Sequence, residues 1–281
     1  VIYPAAITPR RADEVTIDIA AALEQIDFLE AHKVDGITLL GSTGEFPHYT
    51  PEDRMRYASM AIKRARVPVL VNVAHSSFDA SVAMAQQAAV DKAAGILVTP
   101  PIYFKYSQAS IKAFMQEFAA QVKAPVWLYN IPQFTTGMSQ QTMLDLLATG
   151  AFAGIKDSGG AWDDFVALQK AGHKIFTGAD AQYSRMLRQG VYGAISGVAT
   201  AIPELMVAID RRTRAGEDTT ALDAGVAEFI DRTSAFPFPV GVREACAVRG
   251  LKTGPHATPL SREECTKLEE FRIWFKSWKP V

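Results

Sequence analysis

The stretch VPVLVNVAHSSFDASVAMAQQAAVDKAAGILV, residues 67–98, contains a whole structural unit. Val67–Val73 is a short β-branched run, Phe78–Asp91 a longer amphipathic stretch, and Gly95–Val98 a second short run. The two short runs are mainly apolar rather than alternating apolar and polar, as expected for parallel strands covered on both faces. Strand, helix, strand in this order predicts a βαβ unit.

Working outward, the same alternation recurs along the chain. Further strands are expected at Ile2–Ile7, Gly36–Leu40, Pro125–Tyr129, Ala153–Lys156, Lys174–Thr177 and Gly193–Ile195. Helices are expected near Thr16–His32, Pro51–Ala65, Ser107–Val122, Ser139–Leu147, Ala161–Lys170, Ala181–Arg188 and Pro203–Arg211. Thr50 before Pro51, with Asp53 three residues on, reads as an N-cap followed by proline at the first helical position. Eight such units in ~200 residues fit a closed (β/α)8 TIM barrel of the α/β class better than an open sheet. A dinucleotide-binding sheet would carry GxGxxG after its first strand, and none occurs.

The remainder reads as three more helices, Ala221–Thr233, Val240–Val248 and Ser261–Trp278. Phe236-Pro237-Phe238-Pro239 separates the first two, because proline cannot continue a helix. The expected organisation is a catalytic barrel over 1–215 and a helical extension over 216–281. Phe271, Trp274, Phe275 and Trp278 recur at helical spacing, which reads as a packing stripe.

The 281 residues are 48% apolar and 21% charged, the proportions of an ordinary globular protein. Lys+Arg 29 against Asp+Glu 30 leaves no positive excess, which argues against a nucleic-acid partner. No apolar run reaches the ~18 residues of a membrane span. Residues 1–15 hold Arg10, Arg11, Asp13 and Glu14 and no long apolar core, so no signal peptide is expected within them. The chain begins at Val1 without Met, which leaves a removed N-terminal segment open. Cys246 and Cys265 do not form CxxC and read as two reduced thiols of a cytoplasmic protein. The five histidines show no HxH or HExxH spacing, so no metal site is expected.

Active sites of such barrels sit where the strands end. Three groups fall there: Gly41-Ser42-Thr43-Gly44-Glu45, Tyr129-Asn130-Ile131-Pro132 and Lys156-Asp157-Ser158. A lysine inside a barrel loses hydration, which favours the neutral amine, the form that attacks a ketone and forms a Schiff base. A lone lysine after a strand more often snorkels to solvent or pairs with a neighbour such as Asp157. The glycine-bracketed loop offers backbone N–H groups and two hydroxyls to a carboxylate, although such turns are common. Tyr129 has a phenol able to relay a proton, but a core role is the commoner one.

Taken together with Val98-Thr99-Pro100-Pro101 and Gly178-Ala179-Asp180, these motifs occur in the order and spacing of one family. The chain resembles the dihydrodipicolinate synthase and N-acetylneuraminate lyase family of class I aldolases, strongly over about residues 5–200. The resemblance implies that Lys156 is the Schiff-base lysine for pyruvate or a 2-oxo acid and Tyr129 the proton shuttle. It implies that Ser42 and Thr43 bind the 2-oxo acid carboxylate, with Ser42 also bonded to Tyr129. Gly178 and Ile195 match positions that, by the resemblance, line the site through their backbones. Tyr103 matches a tyrosine that reaches a neighbouring subunit's site; one extra residue in Pro101–Tyr106 leaves Tyr106 as the alternative. The resemblance further implies a homotetramer, a dimer of dimers, and a reaction that needs no cofactor.

Departures from the family pattern bear on substrate. Phe134 stands where dihydrodipicolinate synthases carry an arginine for the second substrate's carboxylate, and phenylalanine makes no bidentate pair. Ala181 stands where sialic acid lyases carry a glutamate. Ser42 resembles the lyase and sugar-acid aldolase branches. No match to the lysine-feedback pocket appears near His75–Ala80 or at Ile102. The expected activity is therefore cleavage or condensation involving pyruvate and a 4-hydroxy-2-oxo acid of the 2-oxo-3-deoxy sugar acid type. A dihydrodipicolinate synthase, a 2-oxo acid dehydratase of the same family, and a non-catalytic 2-oxo acid binder remain alternatives.

Overall fold

The computed structural model describes residues 1–12 and 16–279; Asp13 and Glu14, used above against a signal peptide, lie outside the described residues. Eight parallel strands run β1 (Ile2–Pro4), β2 (Ile37–Leu39), β3 (Val69–Asn72), β4 (Gly95–Val98), β5 (Val126–Asn130), β6 (Gly154–Asp157), β7 (Ile175–Thr177) and β8 (Gly193–Ser196). They are ordered β1-β8-β7-β6-β5-β4-β3-β2 in one sheet. A parallel bridge between Ala5 and Thr38 joins the two ends. The result is a (β/α)8 TIM barrel. β1 is shorter than the run Ile2–Ile7 predicts, because after Ala5 the chain turns out of the wall into a loop.

The helices α1 (Ile19–Ala31), α2 (Pro51–Arg64), α3 (Phe78–Val90), α4 (Gln108–Gln121), α5 (Gln140–Ala148), α6 (Trp162–Lys170) and α7 (Tyr183–Arg188) follow the first seven strands. A short α8 (Val198–Ala201), not anticipated from sequence, precedes α9 (Pro203–Arg214). The Thr50 cap is formed: its hydroxyl accepts from Asp53 N–H at 3.2 Å. Ser107 and Ser139 cap α4 and α5 in the same way, so those helices begin one residue later than the apolar pattern alone indicates.

Although several strands are apolar throughout, their side chains divide by parity. In β5, Val126 and Leu128 pack outward with the helices, while Trp127 and Tyr129 join a separate interior cluster with Leu70, Leu97, Phe176 and Ile195. Aromatic rings fill the N-terminal end of the barrel: Trp127 and Phe176 lie 5.0 Å apart and Tyr3 and Phe176 5.1 Å apart. Gly95 makes room for this plug, since a Cβ there would sit 3.0 Å from the Trp127 ring. With that end packed, the open mouth lies at the strand C-termini.

The extension forms α10 (Thr220–Ser234), α11 (Val240–Val248) and α12 (Arg262–Ser277). Ser261 and Glu264 make a capping box at the start of α12. The aromatic stripe packs: Phe271 and Phe275 stack at 5.8 Å, and Phe229 of α10 meets Phe275 at 5.8 Å. α11 lies against α8, where the buried Cys246 thiol reaches the Thr200 carbonyl at 3.5 Å. Burial pushes that thiol up to about 12. Phe229, Cys246, Leu268 and Phe271 belong to the same buried cluster as the barrel's outer core.

Candidate active site

The inward parity of β5 and β6 decides the centre of the site. Tyr129 and Lys156 are partners in the β5–β6 register, so they stand side by side on one barrel level. Ile155 faces the helices, which turns Lys156 to the interior. Lys156 is only 4% exposed, so it does not snorkel. Its Nζ lies 4.1 Å from the centre of the Tyr129 ring. Asp157, its alternative partner, instead accepts from Asn130 Nδ2 at 2.9 Å and from Gly159 N–H at 3.1 Å. Burial raises the Asp157 carboxyl, and those two hydrogen bonds oppose it. Asn130 in turn accepts from Met138 N–H at 3.0 Å. The Asn130–Asp157 pair thus shapes the two loops beside the lysine and leaves the amine free to face the cavity.

Across the mouth, Ser42 and Tyr129 share a hydrogen bond of 3.2 Å between hydroxyls. The loop carrying Ser42 and Thr43 folds as overlapping turns, with Gly44 N–H donating to Gly41 O at 3.0 Å and Glu45 N–H to Ser42 O at 3.1 Å. Gly44 is required sterically, because a Cβ would lie 2.9 Å from the Ala6 carbonyl oxygen. Ser42, Thr43, Tyr129, Lys156, Gly178 and Ile195 all line one cavity of about 350 Å³. Six of the residues expected from sequence are therefore brought together.

Tyr103 is the exception. It is 88% exposed, adopts φ 81°, and packs its ring against Phe104 rather than into this cavity. A left-handed backbone at a bulky residue is uncommon. Tyr106 is also exposed, and its N–H donates to the Thr136 hydroxyl at 3.3 Å. Within this chain neither tyrosine reaches Lys156's cavity.

Two further features were not assigned from sequence. Asp180, quoted only as part of a motif, lines the same cavity. Its buried carboxyl is pushed up to about 6, chiefly by loss of water; hydrogen bonds from Val198 N–H, Ser196 and Gly197 N–H and the charge of Lys156 offset part of that. Its Oδ1 is buried with no hydrogen-bond partner. The second feature is the shape of the surroundings. Towards β2–β4 an apolar recess of about 250 Å³ is lined by Phe46, Pro47, Ile102, Phe134 and Phe238, with the exposed His48 at its edge. Towards the extension a larger recess of about 550 Å³ is lined by Gln133, Ser158, Gly160, Gln182, Thr233 and Ser234. Recesses depend on which loops meet in space, and no local sequence signal announces that.

Phe134 and Phe238 stand 6.0 Å apart between the two recesses. Among the residues lining the central cavity, Lys156 is the sole cation. Among the described residues no three His, Cys, Asp or Glu side chains cluster as a metal site, and no helix is long and apolar enough to cross a membrane.

A (β/α)8 barrel with a buried lysine and a tyrosine at one level of its mouth defines the class, a lyase of the Schiff-base aldolase type. The sequence profile of the Dihydrodipicolinate synthetase family matches residues 1–275, and the chain belongs to that family. It is 34% identical to a 4-hydroxy-tetrahydrodipicolinate synthase of Salinibacter ruber, over 89% of this chain and 85% of that protein. It is 35% identical to an Escherichia coli K12 protein described as a "probable 2-dehydro-3-deoxy-D-pentonate aldolase", over 73% of this chain and 72% of that one. Among solved structures it is similar to an E. coli K12 prophage protein of the dihydrodipicolinic acid synthase family, determined in complex with pyruvate. That match has TM-score 0.88 and 26% identity, and covers 98% of each chain.

Proposed function

We propose that this lyase is a pyruvate-type class I aldolase whose substrate is a 4-hydroxy-2-oxo acid, with a 2-oxo-3-deoxy sugar acid as the fitting class. The observation that carries the reading is the Lys156 amine 4.1 Å over the Tyr129 ring, with Ser42 bonded to that tyrosine. The Lys156 amine attacks the C2 carbonyl and, with loss of water, forms an imine. The protonated imine is the electron sink. Tyr129 gives its phenol proton to the water that leaves as the imine forms; the resulting phenoxide then takes the proton from the C4 hydroxyl as the C3–C4 bond breaks, which releases an aldehyde and leaves an enamine on Lys156. Protonation of the enamine at C3 and hydrolysis of the imine then release pyruvate and regenerate the amine. The loop around Ser42 and Thr43 seats the C1 carboxylate through hydroxyls and backbone N–H groups. Gly178 and Ile195 bound the space around the reacting carbons.

The sugar-acid class rests on the polar side chains among the lining of the recess on the extension side, which is otherwise apolar through Ile230, Phe236, Phe238 and Val242. Ser158, Gln133, Gln182 and the unpartnered Oδ1 of Asp180 offer partners to a hydroxylated tail. A dicarboxylic product would instead require a second cation, and Phe134 supplies none. The relative described as a pentonate aldolase supports the same class. A homotetramer in which Tyr103 or Tyr106 completes a neighbour's relay belongs to this proposal. Its support is the exposed Tyr103, which has no role inside its own subunit.

The test is reductive trapping followed by product analysis. The wild type incubated with pyruvate and cyanoborohydride gains the mass of a reduced pyruvate adduct, and Lys156→Ala does not. A panel of 2-oxo-3-deoxy acids releases pyruvate faster than pyruvate and aspartate semialdehyde condense. Trapping on Lys156→Ala would remove the lysine from the mechanism, and loss of water without pyruvate release would make the enzyme a dehydratase.

A further inference from the structure

Glu45 closes the carboxylate-binding loop but faces away from the cavity's lysine, and nothing in the mechanism above uses it. It adopts φ 51°, ψ 39°, a left-handed conformation that a non-glycine residue holds only when its surroundings impose it. Its backbone is held by turns, with Glu45 N–H donating to Ser42 O and its carbonyl accepting from His48 N–H, and its carboxylate faces one guanidinium. Arg243, on α11 of the extension and 1% exposed, pairs with the Glu45 carboxylate at 2.8 Å. The same guanidinium donates to the carbonyl of Thr8 at 2.9 Å, in the loop after β1. It also donates to the carbonyl of Thr253 at 2.6 Å, in the segment between α11 and α12. Thr8 O in addition accepts the Tyr49 hydroxyl at 3.0 Å, just beyond Glu45. The turns within Gly41–Glu45 fix the loop's internal shape, the Asn72 bond to Leu40 O at 2.7 Å and the Ser42 bond to Tyr129 tie its start to the barrel, and the Arg243 pair ties its far end to the extension.

We propose that Arg243 is a positioning residue: through its buried pair with Glu45, the helical extension holds Ser42 and Thr43 at the height where they bind the substrate carboxylate. The charge network gives the arrangement a single geometry. Glu244, next along α11, pairs with Arg272 of α12 at 2.6 Å and with His256 at 3.7 Å, so the neighbouring acid is already taken and Glu45 is left to Arg243. Through Arg243 the extension then takes part in recognition of the carboxylate without touching it.

This inference rests on the Schiff-base reading, and the experiment separates the two. Cyanoborohydride trapping is measured against concentration for pyruvate and for methyl pyruvate, which keeps the ketone but lacks the carboxylate charge. Wild type is half-saturated by pyruvate at a lower concentration than by the ester. In Arg243→Met the half-saturating pyruvate concentration rises about tenfold or more, as for loss of a hydrogen bond to a charged group. The value for the ester moves less than about twofold, because the amine and the barrel are untouched. Glu45→Gln moves pyruvate in the same direction by less, and it serves alone if Arg243→Met fails to fold. Arg243→Lys restores part of the preference for pyruvate. A wild type that traps neither compound overturns the Schiff-base reading itself. A wild type that prefers pyruvate, with folded variants that keep the same preference, overturns the role of Arg243 alone.

Discussion

Removing one oxygen tests the proposed chemistry. In Tyr129→Phe the ring remains, 2% exposed and still beneath the Lys156 amine, so packing is preserved. The structural loss is one hydrogen bond, to Ser42 at 3.2 Å. That is worth about 1 kcal/mol, and Ser42, being half-buried beside an open cavity, regains water as a partner. The melting temperature is therefore expected to fall by only a few degrees. The catalytic loss is of another order, because Tyr129 is the only phenol among the described residues of this chain that lines the cavity, and a neighbour's tyrosine in the relay passes protons through it. Loss of a positioned acid–base group lowers the rate by about 10²–10⁴-fold. Pyruvate release from a 2-oxo-3-deoxy acid, coupled to lactate dehydrogenase, measures that loss. Cyanoborohydride trapping of pyruvate in the same variant measures imine formation separately. The reasoning requires Tyr129→Phe to lose cleavage far more than trapping, and Ser42→Ala on that background to lower kcat little further, since the pair acts as a unit, while raising KM because Ser42 also seats the carboxylate. Cleavage within tenfold of wild type, with trapping intact, would refute Tyr129 as the base.

Three other perturbations follow from the same coordinates. Phe134→Arg puts a guanidinium beside the mouth; condensation of pyruvate with aspartate semialdehyde, assayed spectrophotometrically, is expected to rise about tenfold as the second carboxylate gains a charged partner. Asp180 has its carboxyl pushed up from an ordinary 3.8 to about 6, so the folded state binds its proton more tightly than the unfolded one. The stability this contributes is full below pH 3.8, declines between 3.8 and about 6, and is lost above; Asp180→Asn lacks that decline, so the stability of wild type relative to the mutant, from urea unfolding, should fall across this window. Gly95→Ala drives a Cβ to 3.0 Å from Trp127 and 2.9 Å from Leu70. It is expected to cost about 1–3 kcal/mol in denaturant unfolding without altering the Lys156 site, so KM should hold.

How much of this was legible in the chain depends on the range of the force that places each residue. The eight strands are local and apolar, and every one was readable, because β-branched runs between amphipathic stretches admit few other arrangements. Lys156 and Tyr129 were readable for a compound reason: both end strands, and parity on neighbouring strands decides that both point inward on one level. Ser42 and Thr43 followed from the glycines that bracket them. α8 was not readable, because Val198–Ala201 is a single turn held in place by α11 rather than by its own pattern. Asp180 was quoted and given no role, since its unusual proton affinity comes from burial beside Ser196–Val198 at the end of β8, a contact made only by the folded barrel. Glu45 and Arg243 are 198 positions apart, each unremarkable alone, and only the extension folding back over the mouth makes them a pair. The extension looked like packing because its conspicuous residues are aromatic. Its contribution to the site is Phe238 at the cavity, Thr233 and Ser234 in the adjoining recess, and a buried arginine behind the carboxylate loop, none of which periodicity marks. In a barrel the walls are written locally, while the precision of the mouth depends on which distant loops meet there. The proposed substrate preference accordingly draws on Phe134, which the sequence already marked, and on Phe238, Asp180 and the Arg243 anchor, which it did not.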